Sequence, residues 1–214
     1  KPDFIATPIT TNSKAIQLLK DNNIELKQTK VGSPQIIEAI KINNGWGSNI
    51  TISDERNEIL ETGGGLAKAK EFFSTDEPFV TINTDILTNL DLHKLVAFHQ
   101  QRKPLISFGV TDRKTSRYFL FDENNQLCGW RNTKTYEEKI SIKKTGLIQK
   151  AYSCVVVFQP GIFLLMPSSG KFSLTDVYLK LAAGHVLLGY DHSGDNLVDV
   201  GNPESIAVAE TLFP

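Results

Sequence analysis

Residues 60–69 read LETGGGLAKA, and residues 79–87 read FVTINTDIL. The first stretch places three consecutive glycines at the beginning of a helix-forming segment. Glycine lets the backbone approach a ligand closely because it has no β-carbon, and the first turn of a helix has free N–H donors. We therefore predict that a flat or anionic ligand lies against these glycines.

The second stretch is an apolar strand that ends in an acid, Asp85. Open α/β sheets bind their ligands at the carboxyl ends of such buried strands. The pattern recurs at residues 196–205, which read NLVDVGNPES and place Asp199 at the end of a second apolar strand. If the two carboxylates converge, they can share Mg²⁺, which prefers oxygen ligands and takes only one or two from protein. The alternative is that each aspartate only caps the helix that follows it.

Composition narrows the function classes. The chain has 214 residues, 40% of them hydrophobic, which is enough for one domain with an ordinary core. The formal net charge is −1, so no global basic field attracts nucleic acid or an anionic membrane surface. An anionic ligand must therefore be held locally, by glycine-rich backbone, by a few basic side chains or by a divalent cation.

The cysteines and histidines point away from metal–thiolate and nucleophilic chemistry. Cys128 and Cys154 form no CxxC or Cys/His metal spacing, which is typical of a reducing cytoplasm. The first residues do not show the charged-then-apolar pattern of a secretion signal, so we expect none, and no apolar run approaches the roughly 18 residues of a membrane span. The four histidines show neither zinc spacing nor an obvious serine or cysteine partner, so we expect neither a zinc site nor a nucleophile–base pair.

Hydrophobic periodicity predicts alternating strands and helices at first and antiparallel strands later, an order that favours a mixed α/β sheet with helices on both faces. Thr62 is the predicted cap of the helix that follows the glycines, and the basic residues at 113–117 are interpreted as a solvated loop. The predicted helices cover residues 13–22, 35–43, 62–73, 91–101, 160–166, 173–182 and 203–212. The predicted strands cover residues 49–53, 79–83, 105–110, 118–121, 126–130, 139–143, 151–158, 186–190 and 196–200.

Several short motifs, taken together, carry a family resemblance. Their order and spacing resemble the sugar-1-phosphate nucleotidyltransferases, in particular compact members related to N-acetylmuramate-1-phosphate uridylyltransferase and mannose-1-phosphate guanylyltransferase. The motifs are ETGGG at 61–65, NTD at 83–85, Tyr152-Ser153, GKFS at 170–173 and VDVGNPE at 198–204. The resemblance covers the chain from about residue 33 to the end.

The resemblance implies a three-layer, Rossmann-like sheet and a Mg²⁺-dependent transfer of a nucleotide from a nucleoside triphosphate to a sugar 1-phosphate. From the resemblance alone, we expect the substrates to be UTP and a hexose or amino-sugar 1-phosphate. In such proteins the carboxylates of Asp85 and Asp199 would hold the metal and act in catalysis. The implied nucleotide-binding residues are Glu61, Thr62, Gly63, Gly64 and Asn83, and the implied sugar-phosphate-binding residues are Ser153, Arg131 and Lys171.

Residues 1–214 are expected to form a single domain without two features of the family, its first strand and the glycine-rich loop that wraps the triphosphate. The strand after Ser153 also departs from the family pattern, because Cys154 and Val156 stand where the family tends to have a glycine and then a histidine.

Two other functions stay open at this stage. A glycosyltransferase can use a similar nucleotide-binding sheet, although such enzymes commonly show two acids where residues 83–85 have one. A binding or regulatory protein that kept the base pocket and lost turnover is the other alternative. The glycine motif together with Asp199 favours nucleotidyl transfer.

Overall fold

A computed structural model describes residues 4–8, 25–29, 41–47, 51, 53, 55, 58–73, 75–83, 85–201 and 204–213. The predicted helix at 13–22 lies outside these residues, as do most of the helix at 35–43 and of the strand at 49–53. Among the residues described, no helix has the length and apolar character needed to cross a membrane.

The described residues form the following elements. The strands are β1 (Phe4–Pro8), β2 (Glu25–Thr29), β3 (Phe79–Ile82), β4 (Ile86–Thr88), β5 (Ile106–Thr111), β6 (Arg117–Phe121), β7 (Leu127–Asn132), β8 (Glu138–Ile140), β9 (Ile148–Phe158), β10 (Leu187–Asp191) and β11 (Leu197–Asp199). The α-helices are α1 (Glu61–Lys68), α2 (Leu92–Arg102), α3 (Leu174–Ala182) and α4 (Ser205–Leu212). Short 3₁₀ helices cover Asn44–Gly47, Lys70–Phe72 and Pro160–Leu164.

The main sheet has the strand order β10-β5-β9-β6-β7-β8, and β3 also pairs with β9. β10 runs parallel to β5, whereas the other pairs in this sheet are antiparallel, so the sheet is mixed. Two smaller pairs accompany it: β1 with β2 in parallel, and β4 with β11 antiparallel.

Helices cover both faces of this sheet, as the alternation along β9 shows. Val156 and Phe158 of β9 belong to a core cluster that includes residues of α1 and α3. Val155 and Val157 point to the other face and pack with Leu95 of α2. Because successive side chains of a strand point to opposite faces, β9 has a helix layer on each side. The predicted mixed α/β fold with helices on both faces is confirmed.

The observed starts of α3 and α1 can be compared with the starts that the capping residues predicted. Ser173 caps α3, its side chain accepting from the amide of Thr175 at 3.2 Å, close to the predicted start. The prediction for α1 is wrong in detail, because this helix begins at Glu61, has no side-chain cap and ends at Lys68. The Thr62 hydroxyl instead accepts a hydrogen bond from the amide of Leu174 at 3.1 Å and so joins α1 to the start of α3.

The length of β9 creates a gap in the sheet. Residues 155–158 of β9 pair with β3, and residues 148–150 pair with β6 on the same side of β9. Within the gap, at residues 151–154, Cys154 adopts a left-handed backbone with φ 57°, and the register of β9 against β5 shifts next to Gly109. Bulges of this kind bend a strand and redirect its side chains. A cleft opens at this irregular point.

Candidate active-site cleft

The cleft has a volume of about 710 Å³ and is bounded by α1, the end of β3, the middle of β9, the loop between β5 and β6, and the start of α3. Its size is in the usual range for a small-molecule site. The lining residues are Glu55, Glu61, Thr62, Gly65, Leu66, Thr81, Asn83, Arg113, Thr115, Ser116, Arg117, Tyr118, Phe119, Trp130, Tyr152, Cys154, Ser173, Leu174, Thr175, Tyr178 and Asp199.

The three glycines of the quoted motif have different surroundings. A β-carbon on Gly63 would collide with the ring of Phe172, and one on Gly64 would collide with the carbonyl oxygen of Gly170. Gly65 lines the cleft and faces Glu55, whose carboxylate would lie 2.7 Å from an added β-carbon. Gly63 and Gly64 are thus needed for close packing of α1 against residues 170–172, and their assignment to the nucleotide site stays a prediction.

The amide donors at the start of α1 are also occupied. The N–H groups of Gly63 and Gly64 both donate to the carbonyl of Phe172, at 2.9 and 3.3 Å. These two amides are therefore not free to bind an anion, contrary to our expectation. The residues of this motif that do face the cleft are Glu61, Thr62 and Gly65.

Asp85 and Asp199 meet at one point beside Gly201. A β-carbon on Gly201 would lie 3.2 Å from a carboxylate oxygen of Asp85 and 3.2 Å from one of Asp199. Backbone hydrogen bonds hold the two aspartates close together. The amide of Val200 donates to the carbonyl of Asp85 at 2.8 Å, and β11 pairs with β4, which begins directly after Asp85. The topology therefore brings together two acids that are far apart in the sequence.

The donor set at this point fits a hard divalent cation. Two carboxylates converge where a glycine leaves space, and the Asp199 oxygen that faces Gly201 accepts a 3.1 Å hydrogen bond from the Gly201 amide. In the part of the chain that the structure describes, no group of three or more His, Cys, Asp or Glu side chains forms a metal cage. Mg²⁺ suits such a site, because it usually keeps several waters and phosphate oxygens beside one or two carboxylates.

Asn83 directly follows β3 and lines the cleft. Its amide donates to the carbonyl of Cys154 at 3.1 Å, so the end of β3 is fixed across the gap in the sheet. Its side chain lines the cleft together with Thr81 and Asp199. The sequence-predicted residues Glu61, Thr62, Asn83 and Asp199 thus share one cavity, with Asp85 directly beside Asp199.

The predicted sugar-phosphate residues are not brought together in the same way. Arg131 lies on β7 and forms a 2.6 Å ion pair with Glu138, outside the cleft lining. Lys171 is also absent from the lining and lies 3.7 Å from the carboxylate of Glu61, at the edge of the cleft. Ser153 is fully buried and points toward the face of the sheet that α2 covers. Their roles in binding a sugar phosphate stay predictions.

Ser153 has a partner that the sequence did not reveal. Its hydroxyl lies 2.7 Å from Nε2 of His192, and Nδ1 of His192 lies 3.3 Å from the carboxylate of Asp195. We expected no serine–histidine pair, and the structure contains one between residues 39 positions apart. Ser153 is 0% exposed and does not line the cleft, so in the structure this pair lies inside the protein. Burial lowers the pKa of His192, against the opposing effect of Asp195.

The basic loop after β5 is the part of the site that sequence reasoning missed. We interpreted residues 113–117 as a solvated loop, but Arg113, Thr115, Ser116 and Arg117 all line the cleft. The sequence did contain an indication of this role. These residues directly follow an apolar strand, so they lie at an edge of the sheet, where such folds bind ligands. The prediction gave no weight to that position.

The rings of Phe119, Tyr152 and Tyr178 form an aromatic wall of the cleft. Phe119 and Tyr152 have ring centroids 5.1 Å apart, and Tyr178 lies edge-on to Tyr152 at 6.4 Å. Burial raises the pKa of both tyrosines well above the usual value, so their hydroxyls stay protonated. Burial also raises the pKa of the neighbouring Cys154 thiol to about 11, an effect that Arg113 opposes and that Asp85 and Asp199 reinforce. The guanidinium and both carboxylates therefore lie within electrostatic range of one thiol.

Comparison with known proteins gives a consistent result. Over 166 residues the chain is 25% identical to the mannose-1-phosphate guanylyltransferase catalytic subunit beta of Drosophila pseudoobscura pseudoobscura, an alignment that covers 76% of this chain and 42% of that protein. The chain thus spans less than half the length of this curated relative.

Two solved structures share the fold. The inositol-1-phosphate CTP transferase from T. maritima superimposes with a TM-score of 0.54 and 13% identity, covering 98% of this chain and 74% of that one. The UDP-glucose pyrophosphorylase from Acinetobacter baumanii gives a TM-score of 0.57 and 12% identity, covering 91% and 78%.

The sequence model of one family spans almost the whole chain. It is that of the nucleotidyl transferases, and it matches residues 22–212, a range that includes every residue placed in the cleft above. The resemblance seen in the sequence motifs is confirmed. The chain belongs to the nucleotidyl transferase family.

Proposed function

We propose that the protein transfers a nucleotide from a nucleoside triphosphate to a sugar 1-phosphate, giving a nucleotide sugar and pyrophosphate. The observation that carries the proposal is the meeting of Asp85 and Asp199 beside a cleft of ligand size, in a member of the nucleotidyl transferase family. The names of the matched proteins support it, since they describe the transfer of guanylyl, cytidylyl or uridylyl groups to sugar or inositol phosphates.

The proposed reaction is a single in-line displacement. A phosphate oxygen of the sugar 1-phosphate forms a bond to the α-phosphorus of the triphosphate. The bond from that phosphorus to the oxygen bridging the α- and β-phosphates breaks, and pyrophosphate leaves with the electron pair. No covalent enzyme intermediate is required, so the protein acts by positioning the substrates and by stabilising charge on the phosphoryl oxygens.

The residues of the cleft divide this work. We assign Asp85 and Asp199 to a magnesium ion, which when bound would neutralise charge on the phosphate oxygens. Glu61, Thr62, Gly63, Gly64 and Asn83 are assigned to the nucleotide, with Asn83 beside the ribose. Ser153, Arg131 and Lys171, the residues that the family pattern assigns to the sugar phosphate, have weaker geometric support because none of them lines the cleft.

The proposed substrates are UTP and a hexose or amino-sugar 1-phosphate. The cleft volume of about 710 Å³ is compatible with ligands of this size. We propose the cytoplasm as the location, because both cysteines are free thiols and therefore suit a reducing compartment.

One assay separates this function from its alternatives. The full chain is incubated with Mg²⁺, each nucleoside triphosphate and a panel of hexose and amino-hexose 1-phosphates, and released pyrophosphate is measured. Release that requires both substrates is the expected result. Absence of release with every pair would overturn the proposal. Transfer from a ready-made nucleotide sugar without pyrophosphate would instead identify a glycosyltransferase, and thermal stabilisation by nucleotide without turnover would identify a binding protein.

A further inference from the structure

Arg113, which lines the cleft, has a buried hydrogen-bond donor without a partner in the described part of the chain. Its Nη2 atom donates to the backbone carbonyl of Tyr152 at 3.2 Å, in the stretch of β9 between the residues that pair with β3 and those that pair with β6. The Nε atom is buried and has no hydrogen-bond partner among the described residues. A buried donor without an acceptor is costly, and a bound ligand that accepts from it removes that cost.

The positive charge of Arg113 also lacks a protein counter-ion. Within the described part of the chain, neither Arg113 nor Arg117 forms an ion pair, although other basic residues do, such as Arg131 with Glu138 and Lys150 with Asp191. Both residues line the cleft. An arginine that is partly buried and unpaired in a cavity is suited to an anion, and its planar fork fits phosphate oxygens.

The loop that carries Arg113 is held in place before any ligand arrives. The amide of Asp112 donates to the Ser193 hydroxyl at 2.9 Å, and the amide of Thr115 donates to the Tyr118 hydroxyl at 2.9 Å. The carbonyl of Ser116 accepts from the amide of Thr133 at 2.8 Å. A loop fixed at three points loses little conformational entropy when its side chains bind a ligand.

Arg113 lies apart from the residues that we assign to the nucleotide. Its guanidinium contacts the backbone of Tyr152 on β9, whereas Glu61 and Thr62 lie on α1. We therefore assign Arg113 to the other phosphate-bearing substrate, the sugar 1-phosphate. Arg113 and Asp199 line the same cleft, so a phosphate held by Arg113 would share this cavity with Asp199 of the carboxylate pair.

We propose that Arg113, together with Arg117 of the same cleft lining, binds the phosphate group of the sugar 1-phosphate acceptor. This inference rests on the proposed nucleotidyl transfer, which fixes the acceptor as a phosphate ester. It adds two residues that the sequence motifs did not identify. The same contact holds the attacking phosphate oxygen on the side of the cleft that faces the aspartates.

The test compares four variants of the full chain. Arg113→Gln removes both the positive charge and the planar set of guanidinium donors, whereas Arg113→Lys keeps only the charge. Arg117→Gln removes the charge of the second arginine in the cleft lining. Lys114→Gln is the matched control, because Lys114 belongs to the same loop, is exposed and does not line the cleft. Steady-state kinetics with Mg²⁺ give KM for the sugar 1-phosphate and, separately, for the nucleoside triphosphate.

Arg113→Gln is expected to raise KM for the sugar 1-phosphate about ten- to a hundredfold, as for loss of a hydrogen bond to a charged group, with KM for the triphosphate unchanged. Arg113→Lys should recover part of this loss, Arg117→Gln should have a smaller effect of the same kind, and Lys114→Gln should behave as wild type. An unchanged KM for the sugar 1-phosphate in Arg113→Gln overturns the inference. A rise confined to KM for the triphosphate overturns it too.

A binding measurement keeps this inference separate from the proposed function. Thermal stabilisation of the wild type and Arg113→Gln is measured with glucose 1-phosphate, mannose 1-phosphate and N-acetylglucosamine 1-phosphate, and with the corresponding free sugars as controls. Stabilisation of the wild type by a sugar phosphate, absent with the free sugar and lost in Arg113→Gln, supports the inference even if no pyrophosphate is released. Equal stabilisation of both proteins, or none of the wild type, overturns it even if turnover is observed.

Discussion

The Phe172 ring occupies the space next to Gly63 in which a side chain would lie. A β-carbon on Gly63 would collide with this ring and would lie 2.8 Å from the carbonyl oxygen of Phe172. The same carbonyl accepts hydrogen bonds from the amides of Gly63 and Gly64, so helix α1 and residues 170–172 are in direct backbone contact. The glycine motif therefore holds two segments of the cleft wall together.

Gly63→Ala is expected to destabilise the protein by about 1–3 kcal/mol, the usual cost of inserting a methyl group into packed structure. The sign of the change in the free energy of unfolding is informative, because a glycine-to-alanine substitution within a helix otherwise stabilises by up to about 1 kcal/mol. Urea unfolding monitored by circular dichroism measures the change. Gly161→Ala is the control, because a β-carbon there meets nothing within 4 Å. A Gly63→Ala protein as stable as that control would show that the contact with Phe172 is not restrictive.

Replacement of either strand-end aspartate should remove turnover without unfolding the protein. Asp85→Asn and Asp199→Asn are each expected to lower kcat by about a hundredfold or more, since charge stabilisation at phosphoryl oxygens supplies several kcal/mol. The Mg²⁺ concentration that gives half-maximal activity should rise in both variants. Asp176→Asn is the control, because Asp176 is an exposed acid on α3 that does not line the cleft. Full activity in either variant would contradict the assignment of a shared metal.

The buried histidine of α2 should make stability depend on pH. His99 is fully buried and its Nδ1 lies 2.9 Å from the Ser107 hydroxyl, while desolvation lowers its pKa from 6.5 to about 4. Between these values the unfolded chain binds a proton that the folded protein does not. The free energy of unfolding therefore falls as the pH decreases below 6.5, by about 2 kcal/mol at pH 5 relative to pH 7.5.

Urea unfolding of the wild type and of His99→Gln across this pH range tests the effect. The slope of stability against pH should be smaller in His99→Gln. His93→Gln is the control, since His93 is exposed on the same helix and should keep the wild-type slope. Parallel pH profiles for the wild type and His99→Gln would exclude His99 as the origin.

The sequence predicted the parts of this molecule that depend on local pattern and topology. Each of the two acids directly follows an apolar strand in the sequence, which indicates without coordinates that it lies at an edge of the sheet. In the structure Asp85 and Asp199 lie together. The role of Gly63 could not be deduced in this way, since its packing partner, Phe172, is more than a hundred residues away. The same holds for Arg113, because the gap in the sheet that exposes it to the cleft arises from the unequal pairing of β9 with three other strands.

Ser153 allows a direct comparison between the sequence motif and the geometry. The family resemblance predicts that Ser153 binds the sugar phosphate, so Ser153→Ala should raise KM for that substrate. In the structure its hydroxyl instead contacts Nε2 of His192 at 2.7 Å, on the face away from the cleft. From this geometry we expect Ser153→Ala to leave KM unchanged and to destabilise the fold by about 1–3 kcal/mol, because a buried ring nitrogen loses its partner.

Kinetics and urea unfolding on the same preparations distinguish these outcomes, with Arg113→Gln as the comparison for a KM effect. A double-mutant cycle with His192→Leu isolates the pair, since side chains in contact show coupling energies of about 0.5–3 kcal/mol. Coupling within this range and an unchanged KM would assign Ser153 to the packing between β9 and the residues after β10. A raised KM with no coupling to His192 would restore the motif-based assignment, and would require the hydroxyl to turn toward the cleft when the sugar phosphate binds.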